Sequence, residues 1–469
     1  MASAMATSPV TLHAPRALLP ETMVPGGWAD GVRVSIDAHG GITAVSHGVA
    51  AMPGDRRLER RILLPAPCNL HSHAFQRALA GRTQRRGPGE DSFWSWRAQM
   101  YRFLERLDPE AIEAITAQAQ VEMLEAGFAA VGEFHYLHHA PDGAPYANPA
   151  ETSLAVMAAA RATGIGLTHL PVIYTAGGVD GRPPEGGQRR FACDPERFAR
   201  LHEAAREALA DGPHDWRLGV APHSLRAVPP GPLAAVLDTH RDGPVHIHVA
   251  EQTAEVAAIE AALGQRPVAW LLDHHDVGSR WCLVHATHMT PAETEALART
   301  GAVAGLCPIT EADLGDGLFD AERYLAAGGR LGIGTDSNVR ITLAGELRLL
   351  EYGQRLAARR RNVLAETGAS TARALLERAL TGGARALDRP SGAIAEGHLA
   401  DLLTLDADDL ALHGLEGDAL LDAWVFSAVG NPVREVWSAG RLVVADGRHH
   451  QREAVAHRHR AALDRLTEA

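Results

Sequence analysis

Two histidines one residue apart, His71 and His73 in the segment LHSH, have the spacing of a metal-binding pair. They close a short apolar run, which predicts that they lie at the end of a β-strand. Side chains alternate across a strand with period two, so both imidazoles point the same way. Imidazole nitrogen is a common ligand of zinc and of other transition metals. The pair therefore predicts part of a metal site.

Three later apolar runs end in residues of the same chemical kind. One ends in HVAE with His248 and Glu251, another in LVHA with His285, and a third in GTDS with Asp336. Together with the histidine pair, they predict a single hydrolytic metal site. Nitrogen and carboxylate ligands favour zinc, although ligand type alone does not separate zinc from iron or manganese.

The same residues are suited to the hydrolysis of a bond to nitrogen. A metal-bound water has a pKa near neutrality, and a carboxylate can carry its proton to a leaving nitrogen. Glu251 follows His248 by three residues, close enough to act as that acid and base. Asp336 could bind the metal and accept a proton, and His285 could orient or polarise the reacting group. The alternative for Glu251 is a surface carboxylate at the start of a helix.

Eight short apolar runs, each bounded by turn signals, would position these residues. Between them lie helical patterns, of which the clearest spans 108–127, with Asp108 as N-cap and Gly127 at its exit. Strands buried on both faces are typical of a parallel sheet, and closing eight of them removes unpaired edges. This alternation predicts an α/β fold, a (β/α)8 TIM-like barrel with its site at the carboxyl ends of the strands. The predicted strands are the runs 61–73, 128–136, 164–174, 216–224, 243–251, 280–288, 301–310 and 328–337.

Both ends of the chain differ from the barrel pattern. The N-terminal part includes VRVSIDAHGGITAVS and the C-terminal part includes VREVWSAGRLVVADG, which are typical of strands joined by tight turns. We expect these segments to pair as a small β-sandwich module beside the barrel. The predicted division is 1–60 for the N-terminal part of the module, 61–388 for the barrel, and 389–469 for the C-terminal part and tail.

Composition limits the partners and the compartment. The net charge of −12 argues against nucleic acid, because phosphate binding needs concentrated positive charge. The four cysteines contain no CxxC pair, which favours a reducing cytoplasm over a disulfide framework. No apolar run approaches the roughly 18 residues of a membrane span, and the start of the chain lacks the pattern of a signal peptide. We expect a cytoplasmic protein with no membrane partner.

The order HxH, HxxE, His and GTDS resembles the amidohydrolase superfamily, in its mononuclear branch of deaminases and related hydrolases. Dinuclear members of that superfamily usually place a lysine at the end of the fourth strand, where this chain has APHSLR with His223. The resemblance therefore implies one divalent metal per chain, zinc by preference. The ligands it implies are His71, His73, His248 and Asp336. The catalytic residues it implies are Glu251, His285 and Asp336.

Longer segments resemble one family within that superfamily, the formimidoylglutamate deiminases of histidine degradation. They include NLHSHAFQRALAG (69–81), DSFWSWRAQMYR (91–102) and a segment that begins GTDSNVRITLAGE at 334. That family implies hydrolysis of N-formimino-L-glutamate to N-formyl-L-glutamate and ammonia, by attack of metal-bound hydroxide on the formimino carbon, in a homodimer. Residue types alone would also allow glutamate and formamide as products. The substrate-binding residues that the family implies are Gln76, Arg97, Tyr136, His223 and Arg226. The two arginines would bind the carboxylates of the substrate.

Two other functions are compatible with the metal core. A sister deaminase or chlorohydrolase would act on a nucleobase or another nitrogen heterocycle, in a flat pocket with amide and aromatic contacts. A catalytically inactive barrel scaffold would be expected to lack a metal or proton-transfer residue, and none is missing from the sequence. Guanidinium groups near the site favour a small substrate with carboxylates. Asn338 and Arg340 follow Asp336 closely enough to line the same pocket.

Overall fold

A computed structural model describes residues 8–87, 89 and 91–467 of the chain. Its strands are β1 (Val10–Leu18), β2 (Trp28–Ile36), β3 (Ile42–Ser46), β4 (Arg56–Arg57), β5 (Arg61–Pro65), β6 (Cys68–Ser72), β7 (Ala130–His135), β8 (Gly166–Ile173), β9 (Arg217–Leu218), β10 (Ala221–Pro222), β11 (Val245–Val249), β12 (Trp281–His285), β13 (Val303–Leu306), β14 (Arg330–Ile333), β15 (Leu402–Asp406), β16 (Val433–Ser438), β17 (Arg441–Ala445) and β18 (Arg448–His449). Its α-helices are α1 (Phe93–Leu104), α2 (Pro109–Ala126), α3 (Glu151–Thr163), α4 (Pro195–Ala210), α5 (Pro230–Thr239), α6 (Thr253–Leu263), α7 (Pro267–His274), α8 (Pro291–Arg299), α9 (Pro308–Leu314), α10 (Ala321–Ala326), α11 (Leu343–Ala358), α12 (Thr371–Ala386), α13 (Ala419–Phe426) and α14 (Arg452–Thr467). Short 3-10 helices span Ala74–Leu79 and Gly186–Arg190.

Parallel strands at eight positions close into a barrel. On one side β6, β7 and β8 pair in order, and the short β9 and β10 both pair with β8 as the fourth position. On the other side β11, β12, β13 and β14 pair in order. Single bridges from Val220 to Val245 and from Ser72 to Asp336 join the two sides. The predicted (β/α)8 barrel is confirmed, and the second bridge places the HxH strand beside the strand that precedes Asp336.

The apolar run over 61–73 was predicted as one strand, and this prediction is wrong. The structure divides it into β5, which ends at Pro65, and β6, with Ala66 and Pro67 between them. Proline lacks a backbone N–H and therefore cannot continue a central hydrogen-bonded ladder. The first part, β5, pairs with β15 and β1 of the module, and only β6 enters the barrel.

The remaining strands, from both ends of the chain, form one sheet with the order β18, β17, β16, β15, β5, β1, β2 and β3, with β4 beside β1. Residues from one face of several strands, among them Leu12, Val34, Leu63 and Leu402, form a buried core separate from that of the barrel. This is the small β module that the sequence predicts. Residues 1–7 and 468–469 of its predicted extent lie outside the described residues. The exact division into 1–60, 61–388 and 389–469 stays a prediction.

A buried ionic network connects the barrel to the module. Arg389 follows α12, and its guanidinium donates to the Asp401 carboxylate over 2.6 and 2.9 Å and to the Asp215 carboxylate over 3.0 Å. Arg441 of β17 donates two further hydrogen bonds of 2.8 Å to Asp215. The Arg389, Asp215 and Asp401 side chains are at most 1% exposed. Each buried charge is therefore paired, which compensates the large cost of removing it from water.

Helix α2 begins and ends at the capping residues that the sequence predicts. In α2 the Asp108 carboxylate accepts a hydrogen bond from the Ala111 amide at 2.7 Å, and Pro109 occupies the first turn. Gly127 ends the helix with φ +105°, a left-handed conformation that favours glycine. Across the described residues, no helix combines the length and the apolar character needed to cross a membrane.

Candidate active site

The strand ends that hold the predicted metal-binding and catalytic residues converge at one end of the barrel. A single cavity there is lined by ten of the predicted residues, His73, Gln76, Arg97, Tyr136, His223, Arg226, His248, Glu251, His285 and Asp336. The eleventh, His71, is fully buried and contacts His248 beside the cavity. The structure thus brings together all eleven residues that the sequence assigns to metal binding, catalysis or substrate binding.

Three histidines could hold a metal ion at the base of this cavity. One nitrogen each from His71, His73 and His248 lies within 4.8 Å of the others. The Nδ1 atoms of His73 and His248 lie 2.9 and 3.1 Å from the carbonyl oxygens of Phe134 and His223. Each Nδ1 is therefore the protonated donor, so each Nε2 carries a lone pair. The His248 Nε2 lies only 3.1 Å from the His71 Nε2, which suits two ligands of one cation.

The electrostatic state of these groups also suits metal binding. Burial lowers the pKa of His71 to about 3 and lowers the pKa values of His73 and His248, so the imidazoles are neutral. The Asp336 Oδ1 lies 3.5 Å from the His71 Nε2 and 3.3 Å from the His73 Nε2. Burial alone would raise the pKa of Asp336, but the neighbouring histidines outweigh it and lower that pKa well below its usual value. A carboxylate beside three neutral imidazoles is a ligand set that zinc prefers.

On the opposite side of Asp336, His285 connects two glutamates. Its Nε2 lies 3.7 Å from the Asp336 Oδ2 and 3.9 Å from the Glu251 Oε1, and its Nδ1 lies 3.1 Å from the Glu311 Oε1. Burial opposes protonation, but these three carboxylates outweigh it and raise the pKa of His285 well above its usual value. Burial raises the pKa of Glu251 to about 7. Glu251 is therefore able to take up and release a proton near neutral pH.

The backbone is strained where it presents these side chains. His285 has φ +66° and Asp336 has φ +44°, both in the left-handed region that residues with a side chain rarely adopt. Asn338, itself at φ +54°, donates to the Ser72 hydroxyl at 3.1 Å and to the Asp336 carbonyl at 2.9 Å. Asn338 is fully buried and supports the turn instead of lining the cavity. Arg340 is exposed and lies outside the cavity lining.

Two arginines from different parts of the chain line the same cavity, Arg97 on α1 and Arg226 in the turn after the fourth strand position. Arg97 of α1 donates to the Tyr101 hydroxyl at 2.5 Å and to the Tyr174 hydroxyl at 3.4 Å. The buried Nε of Arg226 has no hydrogen-bond partner. Among the described residues, neither guanidinium has a carboxylate within ion-pair distance. Two guanidinium groups without an ion-pair partner in one cavity are suited to an anionic ligand.

The neutral predicted residues lie between these arginines and the histidines. The Gln76 amide donates to the Tyr136 hydroxyl at 2.8 Å, and the buried Gln76 Oε1 has no protein partner. Burial raises the pKa of Tyr136 well above its usual value, so it stays a neutral donor. Burial together with Arg226 and Arg97 lowers the pKa of His223 well below its usual value. These groups offer neutral hydrogen bonds in the middle of the cavity.

Three residues at this site were not identified from the sequence. Tyr101 lies one helical turn after Arg97, and Tyr174 directly follows β8, so a strand-end signal existed for Tyr174. Glu311 accepts a hydrogen bond from the Cys307 amide at 2.9 Å and also contacts His285, and nothing in its segment CPITEADL indicates that role.

Comparison with known proteins agrees with this geometry. The chain belongs to the amidohydrolase family, whose model matches residues 62–443. It is 52% identical, over 93% of its own length and 95% of the relative's, to a formimidoylglutamate deiminase of Pseudomonas aeruginosa. A model described as the N-terminal domain of formimidoylglutamate deiminase HutF matches residues 10–59.

Solved structures support the same assignment. An amidohydrolase from Brucella melitensis is 49% identical, with a TM-score of 0.92 over 97% of this chain and 99% of that one. An adenosine deaminase from Xanthomonas campestris with bound zinc is 25% identical, with a TM-score of 0.80 over 98% of this chain and 99% of that one. The fold is therefore shared with a deaminase whose structure contains zinc.

Proposed function

We propose that this protein hydrolyses N-formimino-L-glutamate to N-formyl-L-glutamate and ammonia, a step of histidine degradation. The observation that carries the proposal is the 52% identity, over nearly the whole of both chains, to a formimidoylglutamate deiminase. The cavity supports it, because two unpaired guanidinium groups lie in the same enclosure as the histidine cluster. A substrate with two carboxylates and one formimino group matches both features.

One divalent ion, zinc by preference, would be held by His71, His73, His248 and Asp336. When bound, it lowers the pKa of a water ligand towards neutrality and so makes a nucleophile available for attack on the formimino carbon. The support is the neutral state of the three imidazoles and the converging Nε2 lone pairs. At the fourth strand position the structure has His223, and no lysine lines the cavity to bridge a second ion.

The chain's own residues would then move the protons. Asp336 is ionised and can accept a proton from the attacking water. Glu251, with a pKa of about 7, can carry a proton to the leaving nitrogen, which departs as ammonia. His285 is cationic beside both carboxylates and can polarise the reacting carbon's nitrogen substituent. Glu311 accepts from the His285 Nδ1 and so fixes which ring nitrogen faces the substrate.

The substrate would lie with its formimino end at Asp336 and its carboxylates at Arg97 and Arg226. Gln76, Tyr136 and His223 would hydrogen-bond to the groups between. We also propose that the protein works as a homodimer in the cytoplasm. The four cysteines are all free and buried, which is compatible with a reducing compartment.

An assay of ammonia release tests this function directly. Zinc-loaded protein is given N-formimino-L-glutamate, N-formimino-L-aspartate, guanine or cytosine, and ammonia and N-formyl-L-glutamate are measured. We expect turnover of N-formimino-L-glutamate to be fastest and N-formyl-L-glutamate to be the product. Rapid turnover of a nucleobase without turnover of the formimino compounds would replace this proposal with a heterocycle deaminase.

Replacing either cavity arginine should weaken substrate binding more than it slows chemistry. A hydrogen bond to a charged group contributes about 1.5–3 kcal/mol, so we expect Arg97→Met and Arg226→Met to raise KM by about 10- to 100-fold. The measurement is steady-state kinetics with N-formimino-L-glutamate. Arg102→Met is a matched control, because Arg102 is exposed on the same helix and outside the cavity lining. Unchanged KM in both cavity variants would contradict the assigned carboxylate contacts.

A further inference from the structure

Trp94 lies against both cavity arginines. Its indole ring is 5.5 Å from the guanidinium carbon of Arg97 and 5.4 Å from that of Arg226. Both distances are within the range of cation–π attraction. Trp94 lies in the first turn of α1, after the N-cap Ser92, whereas Arg226 follows the fourth strand position, so the indole connects α1 with a separate turn of the barrel.

The exposure of Trp94 argues against a purely structural role. The residue is 40% exposed, whereas Phe93 beside it is buried in the core. The Phe93 ring meets the indole edge-on at 5.1 Å, which orients the indole without burying it. A tryptophan that only filled a gap in the core would be expected to be buried, as large aromatic side chains usually are.

The two guanidinium groups need such a neighbour. Each carries a permanent positive charge, and among the described residues neither has a carboxylate within ion-pair distance, although Glu251 and Glu255 are near enough to interact with Arg226 electrostatically. Two like charges beside one ring repel each other. The electron-rich face of an indole attracts a cation without neutralising it. It can therefore hold both groups in place while leaving their N–H donors available for an anion.

We propose that Trp94 is a specificity-determining residue that fixes the spacing of the Arg97 and Arg226 guanidinium groups and so selects dicarboxylate ligands over monocarboxylate ones. The proposal rests on the proposed function only in taking the substrate's two carboxylates as the natural ligands. Trp94 itself touches no reacting atom. Its effect therefore belongs to binding and selectivity rather than to the chemical step.

Kinetics of three Trp94 variants test the proposal. Trp94→Phe keeps an aromatic face, whereas Trp94→Leu and Trp94→Met keep apolar bulk without one. Since cation–π contacts contribute modestly each, we expect the leucine and methionine variants to raise KM for N-formimino-L-glutamate by about tenfold, with kcat within about threefold of wild type. The phenylalanine variant should stay within about threefold of the wild-type KM.

Binding of two simple anions tests it independently of turnover. Calorimetry with glutarate, which has two carboxylates, and with butyrate, which has one, is performed on the zinc-loaded protein. We expect Trp94→Leu to weaken glutarate binding by about tenfold and butyrate binding by less than about threefold. If wild type fails to turn over N-formimino-L-glutamate, the proposed function fails, but the glutarate comparison still decides the role of Trp94.

Tyr352→Leu is the matched control. Tyr352 is 38% exposed and stacks on Arg355 at 5.4 Å, far along the chain on α11 and outside the cavity lining. It should leave both ligands unaffected, and thermal unfolding should show that all variants fold. Should the leucine variant be unstable, the methionine variant gives the same comparison. Three results would each overturn the proposal. The leucine and methionine variants could bind glutarate as tightly as wild type, or they could lose as much affinity for butyrate as for glutarate. Trp94→Phe could also lose as much glutarate affinity as the variants without an aromatic ring.

Discussion

Glu251→Gln is expected to lower kcat for N-formimino-L-glutamate by about a thousandfold, because a positioned acid and base contributes about 10²–10⁴ to a rate. The amide cannot carry a proton from the attacking water to the leaving nitrogen. Glu251 lies 3.9 Å from His285 and outside the cluster of three histidines, so metal binding should survive the change. The measurement is ammonia release under saturating substrate, with the metal content of the same preparation.

Glu260→Gln is the control for this prediction. Glu260 is exposed on α6, a few residues beyond Glu251, and its substitution should leave kcat unchanged. We expect one equivalent of zinc in wild type and in both variants. Full activity in Glu251→Gln would contradict its role in proton transfer, and two equivalents of metal per chain would contradict the single-ion site.

Arg389→Met is expected to lower the free energy of unfolding by about 3–5 kcal/mol, the usual effect of removing one partner from a buried ionic pair. The methionine would leave the fully buried Asp401 carboxylate without its two guanidinium hydrogen bonds. Asp215 would keep Arg441 alone. Urea unfolding measures the change. The control is Arg200→Met, since the Arg200–Glu196 pair is exposed and should contribute less than about 1 kcal/mol.

The same network predicts how stability depends on pH. Burial alone would raise the pKa of Asp215, but Arg389 and Arg441 outweigh it and lower that pKa well below its usual value. A carboxyl group whose pKa is lower in the folded state than in the unfolded state stabilises the fold when it is ionised. This stabilisation is complete above the unfolded-state pKa and is lost as the pH falls towards the folded-state pKa. Wild type should therefore lose stability below about pH 4 more steeply than Asp215→Asn. Equal slopes would show that the network contributes little.

The candidate metal site could be assembled from the sequence because its residues lie at strand ends. The alternation of the HxH pair fixes the direction of two ligands from local structure alone. The barrel topology then brings Asp336 beside Ser72, so a correct fold prediction implies the contact. The arginines came from longer segments that resemble a family, since a single arginine in a loop carries little signal.

The features that escaped prediction depend on contacts between distant parts of the chain. The approach of Glu311 to His285 and of Tyr174 to Arg97 follows from how α9 and α1 pack on the barrel. The division of 61–73 into two strands depends on β15, which comes from the other end of the chain. Hydrophobic periodicity describes each segment separately and contains no information on which segments meet.

The position of β5 between β1 and β15 has a consequence for biosynthesis. Its partner β15 leaves the ribosome only after the entire barrel has been translated, so the central ladder of the sheet forms late. Until then β5 has an unpaired edge, and such edges favour aggregation of nascent chains. Barrel strands with nearer partners can pair earlier, since short loops close at lower entropic cost. The arrival of β15 is thus the step that covers the exposed edge of β5.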